Sequence, residues 1–374
     1  MANVFYFFRR SRMRQDLIQG LLCDPGAFYL LYGLDHLKSQ TLSSAHNLDT
    51  ASTPDPAQGC LAGWINHLTT RLGGIGGDTQ TVLTHRRAAN RSDLILSTVD
   101  TVGIPLVFFK WLGLIRPPLI YISIGLPERI QKMSGNGILR VYRHAFQHVD
   151  RFIAYGWEEA LWIRRWLELP EESPKVVFIP FGVNNEYFIP RPDIVPSVDV
   201  LTIGADPQRD YQTLFQIAER RPGVGFRVIT DKNLAAGFTS VPSNVEVLVD
   251  VPFSEIRNHL AAARVVALPI HENTYSAGTT TLLQAMAMAR PVVVSNTGAI
   301  RKGYALEDGR NCRLVPPGDP AGFESALMNL LADGDTTARI GLAARHTVET
   351  HLTWPLFENR LFTILKQTLP QPVS

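Results

Sequence analysis

Three cysteines in 374 residues, Cys23, Cys60 and Cys312, are too few and too far apart for a metal-ligand set or a redox pair. A reducing compartment is therefore expected. Long apolar runs are also missing: no stretch approaches the roughly 18 apolar residues that a spanning helix needs. A secretory leader is not expected, because Val4–Phe8 is a short apolar core followed at once by Arg9-Arg10. Excess charge is lacking too. Lys and Arg total 36 against 34 Asp and Glu, a net of +2, which argues against a nucleic-acid binder working by bulk electrostatics. The histidines are scattered, so no metal is expected. A cytoplasmic location follows.

What is present is ordinary for a folded chain: 45% apolar and 19% charged residues, at a length that suggests two domains. From Val198 onward, short apolar runs alternate with helical patterns. Strands are expected at Val198–Ile203, Phe226–Thr230, Val245–Val249, Val265–Leu268, Val292–Val294 and Cys312–Val315. Helices are expected at Tyr211–Arg220, Ser254–Ala262, Thr280–Met288 and Ala321–Ala332. That alternation implies right-handed βαβ units and a parallel sheet, with ligands bound beyond the strand carboxyl ends. In the first half, Val4–Phe8, Phe28–Leu31, Leu94–Ser97, Leu119–Ser123, Phe152–Tyr155 and Val176–Pro180 read as strands. Leu61–Leu72 and Trp157–Trp166 read as helices, Ser52–Gln58 as a surface loop, and Pro190–Pro196 as the hinge.

Tyr275–Ser295 carries the most information. Ser276-Ala277-Gly278-Thr279 has little side-chain bulk and feeds a helix N-terminus, where free N–H groups and the helix dipole favour an anion. With the Ala285-Met286-Ala287 helix and the Pro291-Val292-Val293 strand, the segment resembles the donor-sugar signature of retaining glycosyltransferases of family four. Phe178–Asn184, Leu314–Asp319 and Thr353-Trp354 resemble three further motifs of that family, in order. The resemblance implies an α/β GT-B fold: two Rossmann-like domains facing each other across a cleft, with a C-terminal helix crossing back to the first. Residues 1–190 would form the acceptor-side domain, 191–352 the nucleotide-sugar domain, and 353–374 the returning helix and tail. The chain departs from the pattern where the family carries two glutamates, here Ser276 and Gln284. It also departs at Ala205, where an arginine is common, and at Ser123–Gly125, which lacks the usual histidine.

The resemblance implies a diphosphate clamp after the first strand of the second domain, in Gly204-Ala205-Asp206-Pro207-Gln208-Arg209. Arg209 is the expected cation, since a guanidinium grips phosphate oxygens in a fork; pairing with Asp206 or Asp210 is the alternative. Gly204 and Asp206 share that loop. Gly278, Thr279 and Thr280 would meet the diphosphate or sugar, with helix capping by Thr280 and Thr281 as the alternative, Gln284 would meet the ribose, and Ser276 the sugar, with Glu272 compensating from the same loop. Val249–Phe253 would form the nucleobase edge. In the first domain Glu128 is the catalytic-cleft candidate, with Arg129 beside it, an exposed ion pair being the alternative. Gly73–Asp78 reads as a turn, Arg9–Arg12 as a solvated basic turn or a face for an acidic acceptor or membrane lipid, and the Trp157, Trp162 and Trp166 series as packing, with a membrane surface as the alternative.

The implied activity is transfer of a sugar, with retention and without a metal or other cofactor, from a nucleotide sugar to a saccharide or lipid-linked saccharide acceptor. Such work belongs to surface or extracellular polysaccharide synthesis, with peripheral contact at the inner face of the membrane. Two alternatives stand beside it: a non-catalytic protein of the same fold that binds a nucleotide sugar or a partner enzyme, and a nucleotide-sugar epimerase.

Overall fold

Short, fully apolar runs such as Leu94–Leu96 and Val292–Val294 can be buried on both faces only as central strands of a parallel sheet, and the chain builds two of these. The computed structural model describes residues 1–48, 56–133 and 135–370. It divides into two compact units. The first comprises Met1–Cys23, Leu30–Ile179 and the chain from Glu358 onward; the second comprises Asp24–Tyr29 and Pro180–Phe357. The stretch Pro190–Pro196 lies inside the second unit, where Pro190, Pro192 and Pro196 line a cavity of about 440 Å³ with Arg264 and Leu330.

The first unit holds β1 (Ala2–Phe7), β2 (Leu42–His46), β3 (Leu94–Ser97), β4 (Leu119–Ser123), β5 (Arg151–Ala154) and β6 (Val176–Phe178). All pair in parallel in the order β2-β1-β3-β4-β5-β6. The second unit holds β7 (Val198–Ile203), β8 (Phe226–Thr230), β9 (Val245–Val249), β10 (Ala263–Leu268), β11 (Val292–Ser295) and β12 (Arg313–Val315). Its order is β12-β11-β10-β7-β8-β9, again parallel throughout. The direction of winding reverses between β7 and β10, so the carboxyl ends of those two strands flank the crevice where doubly wound sheets bind ligands. Each sheet has its own core. Phe146 stacks on Phe152 with Tyr121 against both in the first unit, and Val200, Leu214, Val265 and Leu327 pack in the second. Each such side chain contributes roughly 1.5–3 kcal/mol on burial.

The structure corrects several expectations. Phe28–Leu31 is a 3-10 turn, not a strand. Its four apolar residues fit either structure, and Tyr32 and Gly33, both at positive φ, turn the chain immediately afterwards. The edge strand β2 is Leu-Ser-Ser-Ala-His, without the alternating or continuous apolar pattern that would announce it. Of the expected loop Ser52–Gln58, residues 52–55 lie outside the described residues, and Pro56 opens the helix Pro56–Arg71. The helix Asp100–Trp111 was hidden by Gly103 and Pro105. Pro105 has no N–H to give the Thr101 carbonyl, and that carbonyl instead accepts from Asp78 N at 2.6 Å. A Cβ on Gly77 would lie 2.4 Å from the same carbonyl oxygen, so the glycine turn 73–77 is a packed joint that needs a bare backbone.

The closing helix Trp354–Thr368 begins in the second unit and continues in the first. Gly182, in the Phe178–Asn184 segment, admits the Thr353 carbonyl 2.6 Å from where a Cβ would stand, and Phe181 fills an aromatic cluster with Trp354 and Phe357. Farther along, Glu358 takes His36 Nδ1 on both carboxylate oxygens, at 2.8 and 2.9 Å, with Asp35 nearby. Among the described residues these three are the group of His, Asp and Glu side chains close enough to share a metal, and His36 already bridges Glu358 and Asp35.

Candidate active site

After β7 the chain turns through Gly204–Gln208 and meets the chain leaving β10. Arg209 pairs with Ile270 across a single antiparallel bridge, Asp210 N donates to Pro269 O at 2.9 Å and His271 N to Gln208 O at 2.9 Å. These bonds lock the two loops together at the point of reversal. Asp210 caps the helix Tyr211–Arg220, accepting from Thr213 N and Oγ1 at 3.0 and 2.6 Å. Asp206 accepts from Gln208 N at 2.8 Å and from the Tyr275 hydroxyl at 2.7 Å. Both carboxylates are thus engaged in shaping the loops, and neither is bonded to Arg209.

Arg209 itself is buried, and its guanidinium is tethered at one nitrogen only. Nη2 donates to Ile203 O at 2.7 Å and to Thr281 Oγ1 at 3.3 Å, while Nε and Nη1 are buried without a hydrogen-bond partner. Burial pushes the guanidinium pKa down, opposed by Tyr211, Asp206 and Tyr275. A buried cation with two unpaired donors is costly unless an anion completes it. The shape of the surroundings fits one. A Cβ on Gly204 would sit 2.3 Å from Nε, and one on Gly278 would sit 3.2 Å from Nη1. The guanidinium therefore lies between two bare backbone positions.

Gly278 is also the left-handed cap, at φ 77°, of the nine-residue helix Thr279–Ala287, whose first turn holds no acidic residue. Thr279 Oγ1 is buried and without a partner. A fixed positive charge, a helix amino terminus and an unpaired hydroxyl together make an anion cradle. The expected donor-site residues separate accordingly. Gly204, Arg209, Gly278 and Thr279 come together, and Gly204 acts by leaving space, since its N–H already donates to Ile229 O. Thr280 follows in the first helical turn, half-buried, and Gln284 lies buried farther along that helix. Ser276 is half-buried, and its carbonyl accepts from Thr279 N. Glu272 turns to the next loop, accepting from Gly298 N at 2.7 Å and pairing with Arg301 at 3.3 Å. Thr281 orients Arg209 through its hydroxyl; threonines at a helix start read as caps, and only tertiary contact distinguishes the two roles. Gly204→Ala should leave thermal stability within a degree or two, because the crowding atoms are the tip of a flexible side chain, and should weaken anion binding about tenfold by displacing Arg209. Calorimetric titration with nucleoside diphosphates reads that change.

In the first unit, Glu128 lies near a buried acidic pair at the carboxyl end of β4. Glu159 Oε1 accepts from Ser123 Oγ at 2.6 Å and Gly125 N at 2.9 Å, and Asp100 Oδ1 accepts from the Tyr121 hydroxyl at 2.8 Å. Arg129 pairs with Asp100 at 3.4 Å rather than with Glu128. Burial drives the Asp100 carboxyl up to about 6, with Tyr121 and Arg129 pulling against it, and drives Glu159 well up, Asp100 and Glu128 adding to that rise. The tryptophan series packs instead of facing outward: Trp162 stacks on Trp166, and Trp166 meets Phe146. Ser11 in the basic turn caps the helix Arg12–Ile18, and no helix among the described residues is long and apolar enough to cross a membrane.

Comparison with known proteins agrees with this architecture. Residues 212–333 match the family described as Glycosyl transferases group 1. No curated protein matches the sequence. Among solved structures, a sucrose-phosphate synthase from Thermosynechococcus elongatus superposes with a TM-score of 0.71 at 15% identity, covering 98% of this chain and 99% of that one. HepE from Anabaena, in complex with UDP-glucose, superposes with a TM-score of 0.70 at 16% identity, covering 98% and 100%. A glycosyltransferase from Rickettsia africae gives 0.63 at 14%, covering 99% of each chain. These likenesses establish the GT-B fold.

Proposed function

The second unit carries a glycosyl transferases group 1 domain on a GT-B fold, and from that premise we propose that the protein moves a sugar from a nucleoside-diphosphate sugar to a saccharide or lipid-linked saccharide, with retention of anomeric configuration. The observation that carries the reading is the Arg209 guanidinium, buried between Gly204 and Gly278 with Nε and Nη1 unpaired at a helix amino terminus. It supports a diphosphate in that space. When the bond from the anomeric carbon to the diphosphate oxygen breaks, negative charge grows on the leaving group, and a preorganised buried cation stabilises it there. The acceptor oxygen forms the new bond, and its proton passes to the departing phosphate on the same face, so no dedicated base is required. Gln284 is assigned to a ribose hydroxyl, which an amide can both donate to and accept from. Glu128 is assigned to the acceptor. The bound UDP-glucose of HepE favours a uridine donor as the first to test. We place the protein in polysaccharide synthesis in the cytoplasm, in peripheral contact with the membrane.

With Arg209 supplying the countercharge, turnover should persist in EDTA. A panel of UDP, GDP, ADP and dTDP sugars, screened by thermal shift and then offered with saccharide acceptors, tests the whole reading. Selective stabilisation by one donor, followed by a product whose anomeric coupling matches the donor's, is the expected result. A folded preparation that neither binds nor consumes any nucleotide sugar would overturn it. Ser276 and Gln284, standing where glutamates are usual, favour one second reading, a donor-binding protein without transfer. Tight donor binding with no product from any acceptor would select that one.

A further inference from the structure

The first unit leaves an unusual amount of apolar surface uncovered in one place. On the helix Pro56–Arg71 and just beyond it, Leu61, Trp64, Leu68 and Leu72 are exposed at spacings of three, four and four, which put them on one face. Leu68 and Leu72 form part of the rim of an apolar cavity of about 300 Å³, floored by Ile104, Pro105 and Phe108 and bordered by exposed Leu112 and Val141. Leu112 is followed at once by Gly113 and Leu114, which line a second concavity of about 360 Å³ walled by Arg86, Arg87, Arg91 and Arg116. An apolar hollow and an arginine hollow are therefore neighbours, sharing one loop.

The segments that build them are almost wholly basic, and two acidic side chains that reach them from elsewhere, Asp150 and Glu168, are paired with Lys110 and Arg143. Across residues 57–92, 110–118 and 132–148 the acidic residue is Asp78 alone, and it is committed to capping the helix Thr79–Ala89 through Thr81. Arg71 and Arg140 extend the basic rim. An exposed apolar patch ringed by polar residues marks an interaction surface, and an apolar face bordered by arginines matches an anionic lipid interface, with side chains in the acyl boundary and guanidinium groups at the phosphates. We propose that this face of the first unit docks on a bilayer containing acidic phospholipid. The proposal rests on the peripheral location given above, and it assigns the surface to the Pro56–Arg71 helix and the 112–116 loop, not to the tryptophan helix or the Arg9–Arg12 turn.

Flotation of the full chain with vesicles tests it, without any nucleotide sugar present, so that failure of the donor site leaves the result untouched. The chain should float with phosphatidylcholine vesicles containing about one-third phosphatidylglycerol, should not float with phosphatidylcholine alone, and should be released by high salt. Leu72→Glu with Leu112→Glu should cut binding at least tenfold while circular dichroism and donor-induced thermal shift stay as in the parent. Arg86→Glu with Arg91→Glu should cut it more than tenfold, at about fivefold for each charge lost. Failure to float with acidic vesicles, equal flotation with neutral ones, or a dimer in sedimentation that the leucine variant dissociates would overturn the proposal, the last by identifying a second copy of this chain as the occupant.

Discussion

Arg209→Ala should lower kcat/KM for the donor by about 10²- to 10³-fold, the size of effect seen when one preorganised donor to a developing oxyanion is removed. The ligand-free protein should meanwhile melt at the same temperature or slightly higher. The two expectations come from one geometry. Without an anion the guanidinium is a buried cation whose single tethered nitrogen reaches Ile203 O and Thr281, while Nε and Nη1 have nothing to bond. Its removal relieves a desolvation cost and leaves the Ile203 carbonyl one donor short, two effects of opposite sign and similar size. With the diphosphate bound, the same side chain is worth far more, so the variant should lose most of the ligand-induced rise in melting temperature. Arg209→Lys should recover part of the loss, because an ammonium keeps the charge but not the fork. A binding isotherm for Arg209→Ala that overlays the parent's would remove the diphosphate from this space.

Much of this site is legible in the sequence, and what is hidden has a common cause. β7, β8 and β9 fall on the residues expected from their apolar runs, as do the helices Tyr211–Arg220 and Trp157–Trp166, because local periodicity and caps decide them. Gly278 and Arg209 stand out for similar reasons, one as a small-residue turn before a helix, the other as a lone cation in a loop after a strand. The helix Asp100–Trp111 escapes because Pro105 is a breaker in isolation and is tolerated only where Asp78 N takes up the freed carbonyl. The partners of that bond are 23 residues apart, and no local window contains both. Glu272 and Asp206 sit in loops that reach the site, and their partners are not legible locally: Asp206 accepts from Gln208 N and the Tyr275 hydroxyl, and Glu272 accepts from Gly298 N and pairs with Arg301. Thr281, Asp100 and Glu159 take their meaning from burial and from contacts between distant segments, which composition and spacing do not encode.

The buried acidic pair of the first unit should give the protein a stability that falls as pH rises from 4 toward 7, and Asp100→Asn should remove the part of that fall that Asp100 supplies. Asp100 is fully buried, and burial holds its carboxyl at about 6 against an ordinary value of 3.8. Because the folded value is the higher one, the native state binds the extra proton between the two values. Its stabilising contribution is complete below about pH 4 and is lost as pH climbs through about 6. A displacement of about two units corresponds to roughly 3 kcal/mol between those limits. Asparagine keeps an oxygen for the Tyr121 hydroxyl and carries no charge, giving up only the Arg129 contact at 3.4 Å, which is partly exposed on the arginine side. The variant should therefore compare least favourably with the parent near pH 4.5 and most favourably near pH 7.5 in urea unfolding followed by tyrosine and tryptophan fluorescence. Glu159, also pushed up by burial and accepting from Ser123 and Gly125, contributes a fall of its own to parent and variant alike, so the comparison rests on the difference between their curves. Parallel curves for parent and variant across that range would show that Asp100 is ionised in the folded protein at all of these pH values, with Arg129 and Tyr121 outweighing its burial.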